Sequence, residues 1–164
     1  MIEEASVATC LFMGKEMVFD IANQPMLDIL GKGDTILGKP VAEALPELEG
    51  QPFFGILDEA FTTGIPYGAE AVPADLVVNG KLGTYYFDFT YKPLRNGAGE
   101  VFAIMQMAVD VTSQVLSRQH LEASEARYRQ LSHELETLVE VRTQELTTSN
   151  QDLIRSNENL QQFA

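Results

Sequence analysis

Apolar and polar residues alternate along the first 110 positions with a period that changes twice. Val7–Met13 and Met17–Ala22 are short apolar runs separated by Gly14-Lys15, which predicts two strands joined by a tight hairpin. From Gln24 to Gly64 the period lengthens. Met26, Leu27, Ile29 and Leu30 share one helical face, and Phe53, Phe54, Ile56, Leu57, Ala60 and Phe61 recur at helical spacing up to Gly64, a capping glycine. Pro25, Pro40, Pro46 and Pro52 keep the intervening helices short. Strand periodicity then returns. Glu70–Val78 runs into Asn79-Gly80, a hairpin signal. In Thr84–Leu94, Tyr85, Phe87, Phe89 and Tyr91 face one way and Tyr86, Asp88, Thr90 and Lys92 the other. Asn96-Gly97 marks a further hairpin before a closing strand, Val101–Val109. Two strands, a helical insert and three strands predict an α+β domain: a five-stranded antiparallel sheet with helices on one face.

All 12 Gly and all 7 Pro lie at or before Gly99. The chain beyond lacks turn punctuation, and its spacing predicts one helix of about 50 residues, roughly 75 Å long. The boundary falls near Asp110–Thr112, giving a globular domain over 1–112 and a helix over 113–164. Leu121, Ser124, Tyr128, Leu131 and Leu135 follow 3-4 spacing, and Val139, Leu146, Leu153 and Leu160 recur every seven residues. The two successive four-residue steps at Leu131, Leu135 and Val139 form a stutter. Such a seam predicts a parallel two-stranded coiled coil and hence a homodimer. Downstream, the leucines occupy either a, with Arg142, Ser149 and Ser156 at d, or d, with Thr143, Asn150 and Asn157 at a. Both partner rows are polar, so the coil is weak there.

The chain of 164 residues holds one core of ordinary size, and 45% apolar residues suffice to fill it. The net charge of −13, without a Lys/Arg cluster, disfavours nucleic acid and anionic membrane surfaces as partners. No apolar run spans a membrane, and the acidic Met1–Ser6 lacks the layout of a signal peptide. A single cysteine, Cys10, makes no internal disulfide, which fits a reducing, cytoplasmic setting.

Several stretches, in order, resemble a PAS domain and, specifically, the PAS-plus-linker region of bacterial sensor histidine kinases: Leu37-Gly38-Lys39-Pro40, Ala44-Leu45-Pro46-Glu47-Leu48, Thr63-Gly64-Ile65-Pro66-Tyr67, Tyr86 through Leu94, and Asp110-Val111-Thr112. Val141 through Leu146 and Asn157 through Leu160 resemble the helix that precedes the kinase core in that family, and Leu160 through Ala164 the residues just before its phosphoacceptor histidine. The resemblance implies a sensory module of a two-component system, whose downstream kinase core is absent from this chain, and no catalytic residues here. Ser132-His133-Glu134-Leu135 looks like the start of a phosphoacceptor box, but Glu136 and a missing proline break the match, leaving His133 a solvent-facing helix residue.

In the resembled family a ligand pocket, when present, lies between the sheet and the helices. Here that face implicates Tyr85, Phe87, Phe89 and Tyr91 with Phe102, Ile104, Gln106 and Ala108 of the closing strand. Gln106 is the polar exception, and a buried amide needs partners. The cofactor, if any, is an unidentified small ligand. A haem needs an axial ligand inside the domain, yet His120 and His133 lie in the long helix. A flavin sensor of the light-oxygen-voltage type carries its cysteine on a helix, whereas Cys10 falls on a strand. No Cys/His cluster has zinc spacing. Asp110 and Thr112 stand where an oxygen-bearing side chain caps the long helix and ties it to the sheet, so they are the expected signal-coupling residues.

Overall fold

The computed structural model describes residues 6–163. Met1–Ala5 of the acidic N-terminal segment, and Ala164 at the end of the kinase-like stretch, lie outside the described residues. Five antiparallel strands, β1 (Ala8–Met13), β2 (Val18–Ala22), β3 (Tyr67–Val78), β4 (Lys81–Arg95) and β5 (Val101–Asp110), form one sheet in the order β2-β1-β5-β4-β3. Between β2 and β3 the insert supplies α1 (Gln24–Leu30), α2 (Val41–Ala44) and α3 (Phe53–Thr63), with 3₁₀ turns at Gly33–Ile36 and Pro46–Leu48. A single helix, α4, runs from Thr112 to Gln162. The chain divides into two compact units, Met1–Leu116 and Ser117–Ala164. The first turn of α4 therefore belongs with the sheet, and Val115 is buried in it.

Local chemistry explains the turns. Asn79 and Gly80 both adopt positive φ, 50° and 77°, the geometry of the tight hairpin whose twist matches its strands. The β4–β5 loop is longer than the Asn96-Gly97 signal implies. Asn96 Oδ1 accepts from the N–H groups of Ala98 and Glu100, so the turn closes over Asn96–Glu100. Asn23 does three jobs at once. Its side-chain oxygen caps α1 by accepting from Met26 N–H (3.1 Å), accepts from Thr9 N–H (2.9 Å), and its Nδ2 donates to Val7 O (2.8 Å), which fixes α1 against β1.

Two bulges displace predicted registers. β3 begins at Tyr67 rather than Glu70 and shifts register between Ala69 and Val72, where the Asp88 carboxylate accepts from Ala71 N–H (2.7 Å). β4 and β5 shift between Leu94 and Arg95. That bulge turns Phe102 outward, 39% exposed, and lets Val101 pack on the core instead.

The insert pins both edges of the sheet. At the β2 edge, Phe19 N–H donates to Lys39 O, Gly38 N–H to Phe19 O and Val41 N–H to Met17 O. At the β3 edge side chains do the work. Gln51 accepts from Asp75 N–H and donates to Asp75 O (both 3.0 Å), and Glu47 Oε1 accepts from Val77 N–H (3.0 Å) while pairing with Lys32 Nζ (2.7 Å). Gly31 passes so close to β3 that a Cβ would lie 2.6 Å from Val78 Cγ1, and its φ of 62° excludes most side chains. No helix among the described residues is long and apolar enough to cross a membrane.

Burial alone raises the Glu47 carboxyl. The hydrogen bonds from Lys32 and from the backbone N–H groups of Val77 and Glu47, with the Lys32 charge, outweigh it and hold the group below its ordinary 4.5. A lowered folded value means the clamp stabilises the fold above the ordinary carboxylate range and is lost as pH falls through the folded value. Glu47→Gln is expected to cost about 1 kcal/mol at pH 7. In urea melts at descending pH, the gap between wild type and variant should close below the ordinary carboxylate range; a constant gap down to pH ~3 contradicts the clamp.

Candidate functional site

Aromatic rings converge where the sheet meets the insert. Phe53 of α3 stands 5.7 Å from Phe89 of β4, which lies 4.9 Å from Tyr91, and Phe12 meets Phe19 edge-on at 4.7 Å. These rings, with Met26, Leu48 and Leu57, line a cavity of about 50 Å³. That space admits one or two water-sized molecules, against about 300 Å³ or more for a pocket that holds a drug-sized ligand.

Of the eight residues expected on the face of a ligand pocket, Phe87, Phe89, Tyr91, Gln106 and Ala108 line this cavity. Ile104 and Tyr85 do not. Ile104 is fully buried within the core, opposite Phe12 and Pro93 in register. Tyr85 sits towards the β3–β4 hairpin, opposite Ala74, and packs only partly buried against the core. Phe102 is excluded by the bulge described above. Residues the insert supplies, notably Leu57, line the cavity as well. The spacing of Phe53 and Leu57 on one face of α3 was the available signal for the insert's part.

Three polar side chains cross the sheet in one row. Cys10 of β1 pairs with Gln106 of β5, which pairs with Tyr91 of β4. The Cys10 thiol donates to Gln106 Oε1 at 3.6 Å, so it is a weak donor as well as a small buried group. Gln106 Nε2 and the Tyr91 hydroxyl make no hydrogen bond among the described residues. Burial pushes the Cys10 thiol up and keeps it protonated. Burial, with Cys10 and Tyr67 nearby, pushes the Tyr91 hydroxyl up likewise. The row is therefore neutral and can offer hydrogen bonds, but it is not arranged for nucleophilic or acid–base chemistry at neutral pH.

At the other end of β5 lies the joint with α4. Val111 N–H donates to Tyr86 O (2.8 Å), Tyr86 N–H donates to Thr112 Oγ1 (2.9 Å), and Thr112 N–H donates to Asp110 Oδ1 (2.9 Å). Asp110 thus caps the start of the helix. Thr112 does not: its hydroxyl is spent on the sheet. Val111, without a polar side chain, still contributes a tie through its backbone.

A family model described as PAS fold matches residues 3–116, ending where the first compact unit ends. The chain belongs to the PAS-fold family. Solved PAS-like structures similar to this chain include an RNA-binding light-oxygen-voltage receptor, at 22% identity over 76% of this chain and 35% of that one, with a TM-score of 0.59. This chain thus spans about a third of that receptor's length. A PAS domain from Colwellia psychrerythraea aligns at 10% identity over 68% of this chain and 92% of its own, TM-score 0.55. A sensory box sensor histidine kinase from Vibrio cholerae aligns at 18% identity over 68% and 86%, TM-score 0.52. At such identities the likeness is one of fold. Within this PAS domain, the expected seam residues Leu121, Tyr128, Leu131, Leu135, Val139, Leu146, Leu153 and Leu160 have no place: all lie on α4, each more than half exposed. His120 and His133 are exposed on the same helix.

The Tyr91 hydroxyl borders the cavity and bonds to no described residue, so its removal breaks no protein hydrogen bond and costs little. Tyr91→Phe is expected to leave urea stability within about 0.5 kcal/mol of wild type or to raise it, whereas Gln106→Leu, which also removes the acceptor of the Cys10 thiol, is expected to cost about 1 kcal/mol. A loss above about 1.5 kcal/mol in either variant means that the row is already occupied by a bound group.

Proposed function

We propose that this chain is the cytoplasmic sensory and dimerisation module of a bacterial two-component sensor histidine kinase. A change in the PAS core is relayed through a parallel coiled coil to a kinase domain downstream. The observation that carries this reading is the joint. The central strand β5 continues into a helix of 51 residues, its first turn is bonded to β4 through Val111 and Thr112, and its apolar residues from Leu121 onward are exposed. Exposed apolar residues at heptad spacing on a long polar helix call for a partner helix. The PAS fold shared with the Vibrio cholerae sensor histidine kinase supports the same reading at the level of fold. The acidic balance of the chain favours a protein or small-molecule partner over nucleic acid.

A second reading has its own support. A cavity of about 50 Å³ is nearly filled, which favours a PAS core that works by protein contact without a resident ligand. Both readings need the dimer. They part on whether a small molecule co-purifies, which native mass spectrometry of the purified chain decides.

The dimer is tested by sedimentation of the full chain beside residues 1–116. The cut follows Leu116 so that Val115 stays in the core. The full chain is expected to be dimeric and the shorter one monomeric. Leu131→Asp and Leu135→Asp should each weaken dimerisation at least tenfold, or about 1.4 kcal/mol, because each puts a charge in an apolar seam. Leu153→Asp should do less, since its neighbouring row is polar. Equal dimerisation by residues 1–116 would remove the helix from the interface.

A further inference from the structure

From 139 to 160, polar residues on α4 repeat as regularly as leucines. Val139, Leu146, Leu153 and Leu160 recur every seven residues; Thr143, Asn150 and Asn157 do so three positions before a leucine, and Arg142, Ser149 and Ser156 one position earlier still. Either polar row can share a seam with the leucines. The side-chain bonding of the helix separates the two.

Thr143 Oγ1 donates to Val139 O at 2.8 Å. Its hydroxyl is satisfied within its own helix, and it presents a β-branched methyl, a shape favoured at a in two-stranded coils. Arg142 is committed elsewhere: its guanidinium pairs with Glu145 at 2.8 Å, with both side chains more than half exposed. With the leucines at a, that paired arginine would have to enter the seam at d. With the leucines at d, Arg142 flanks the seam at g and Glu145 lies behind it at c.

Charge points the same way. Two copies of a chain with net charge −13 must meet along a line poor in carboxylates. With the leucines at d, Glu145 and Asp152 fall at c and Glu158 at b, the g positions are Arg142, Ser149 and Ser156, and Glu140 at e is the one carboxylate from 139 to 160 that flanks the seam. With the leucines at a, Glu145 and Asp152 move to g, beside the seam in both copies. Finally, the Asn150 and Asn157 amides form no hydrogen bond among the described residues. An asparagine at a meets its own counterpart only when two helices run parallel and in register, and it specifies that arrangement at some cost in stability.

We propose that residues 139–160 pair with a second copy of this chain as a parallel, in-register two-stranded coiled coil, with Thr143, Asn150 and Asn157 at a and Val139, Leu146, Leu153 and Leu160 at d. This rests on the dimer reading above and goes beyond it by fixing which face meets the partner. It also relocates the seam's irregularity. The upstream d row, Ser124, Leu131 and Leu138, is followed at once by Val139 at d, so the seam skips one residue there instead of taking a single stutter.

The test is disulfide trapping in the full chain. Asn150→Cys, Asn157→Cys, Ser149→Cys and Ser156→Cys are oxidised in separate samples, with the wild type, whose Cys10 is buried, as the blank. Covalent dimer is read on non-reducing gels and total dimer by sedimentation. Both asparagine positions should cross-link at least about fivefold faster than both serine positions, because a residues face each other across the seam and g residues flank it. Faster trapping at Ser149→Cys and Ser156→Cys overturns the assigned face while leaving the dimer intact. A dimer by sedimentation in which Asn150→Cys and Asn157→Cys do not both cross-link overturns the parallel, in-register pairing. A monomer at every concentration overturns the dimer reading itself.

Discussion

The pairing of β5 with both β1 and β4 is the constraint on which everything else in the PAS unit depends. β5 is last in sequence and central in space, so the sheet is complete only when the final strand inserts between one near the N-terminus and one adjacent in sequence. Ala8–Met13 meets Ala103–Ala108 at sequence separations of 90 to 100 residues. That long closure is entropically costly before its contacts form. It is also productive. The same ten residues of β5 supply Ile104 to the core, Gln106 to the polar row, Ala108 to the cavity wall and Asp110 to the helix cap.

The insert answers a second requirement, the two open edges of the sheet. Unpaired edge strands invite association with other chains. Here β2 is capped by backbone from Gly38 to Val41, and β3 by Glu47 and Gln51. The short helices, kept short by proline, are therefore held at both margins while their apolar faces cover the centre. What remains between them and the sheet is a small neutral cavity whose polar groups, Tyr91 and Gln106, come from two neighbouring strands. An increase in that volume requires movement of the insert, which is held by three backbone bonds at β2 and by three side-chain bonds at β3.

Locally encoded features were legible in the sequence. Asn79-Gly80, the alternation of Thr84–Leu94 and the long stretch without glycine or proline each specify an element through nearest neighbours, and the elements appear where those signals place them. Features made by distant partners were not. The bulge between Leu94 and Arg95 arises from how β4 meets β5, so the two-residue period carried Phe102 onto the wrong face. Glu47 and Gln51 read as ordinary polar residues after Pro46, because their partners at Asp75 and Val77 lie about 25 to 30 residues away. Thr112 stood where a helix cap belongs, and only the approach of Tyr86 N–H shows that its hydroxyl serves the sheet. Tyr85 failed as a cavity residue for a related reason: the alternation fixes its side of the strand but not its distance from the insert.

The proposed relay joins these parts. A rearrangement in the core reaches β4 and β5, and among the described residues the one bond from a side chain in the first turn of α4 to the sheet is that of Thr112 to Tyr86. If helix pairing is tuned through that bond, loosening it leaves the helix start less pre-organised for its partner. The most direct measurement is the dimer dissociation constant of the full chain and of Thr112→Val by sedimentation equilibrium, with near-ultraviolet circular dichroism confirming a folded core in both. The account predicts a dimer weaker by about fivefold, close to 1 kcal/mol, in the variant. Equal dissociation constants, with the core folded in both proteins, would contradict it.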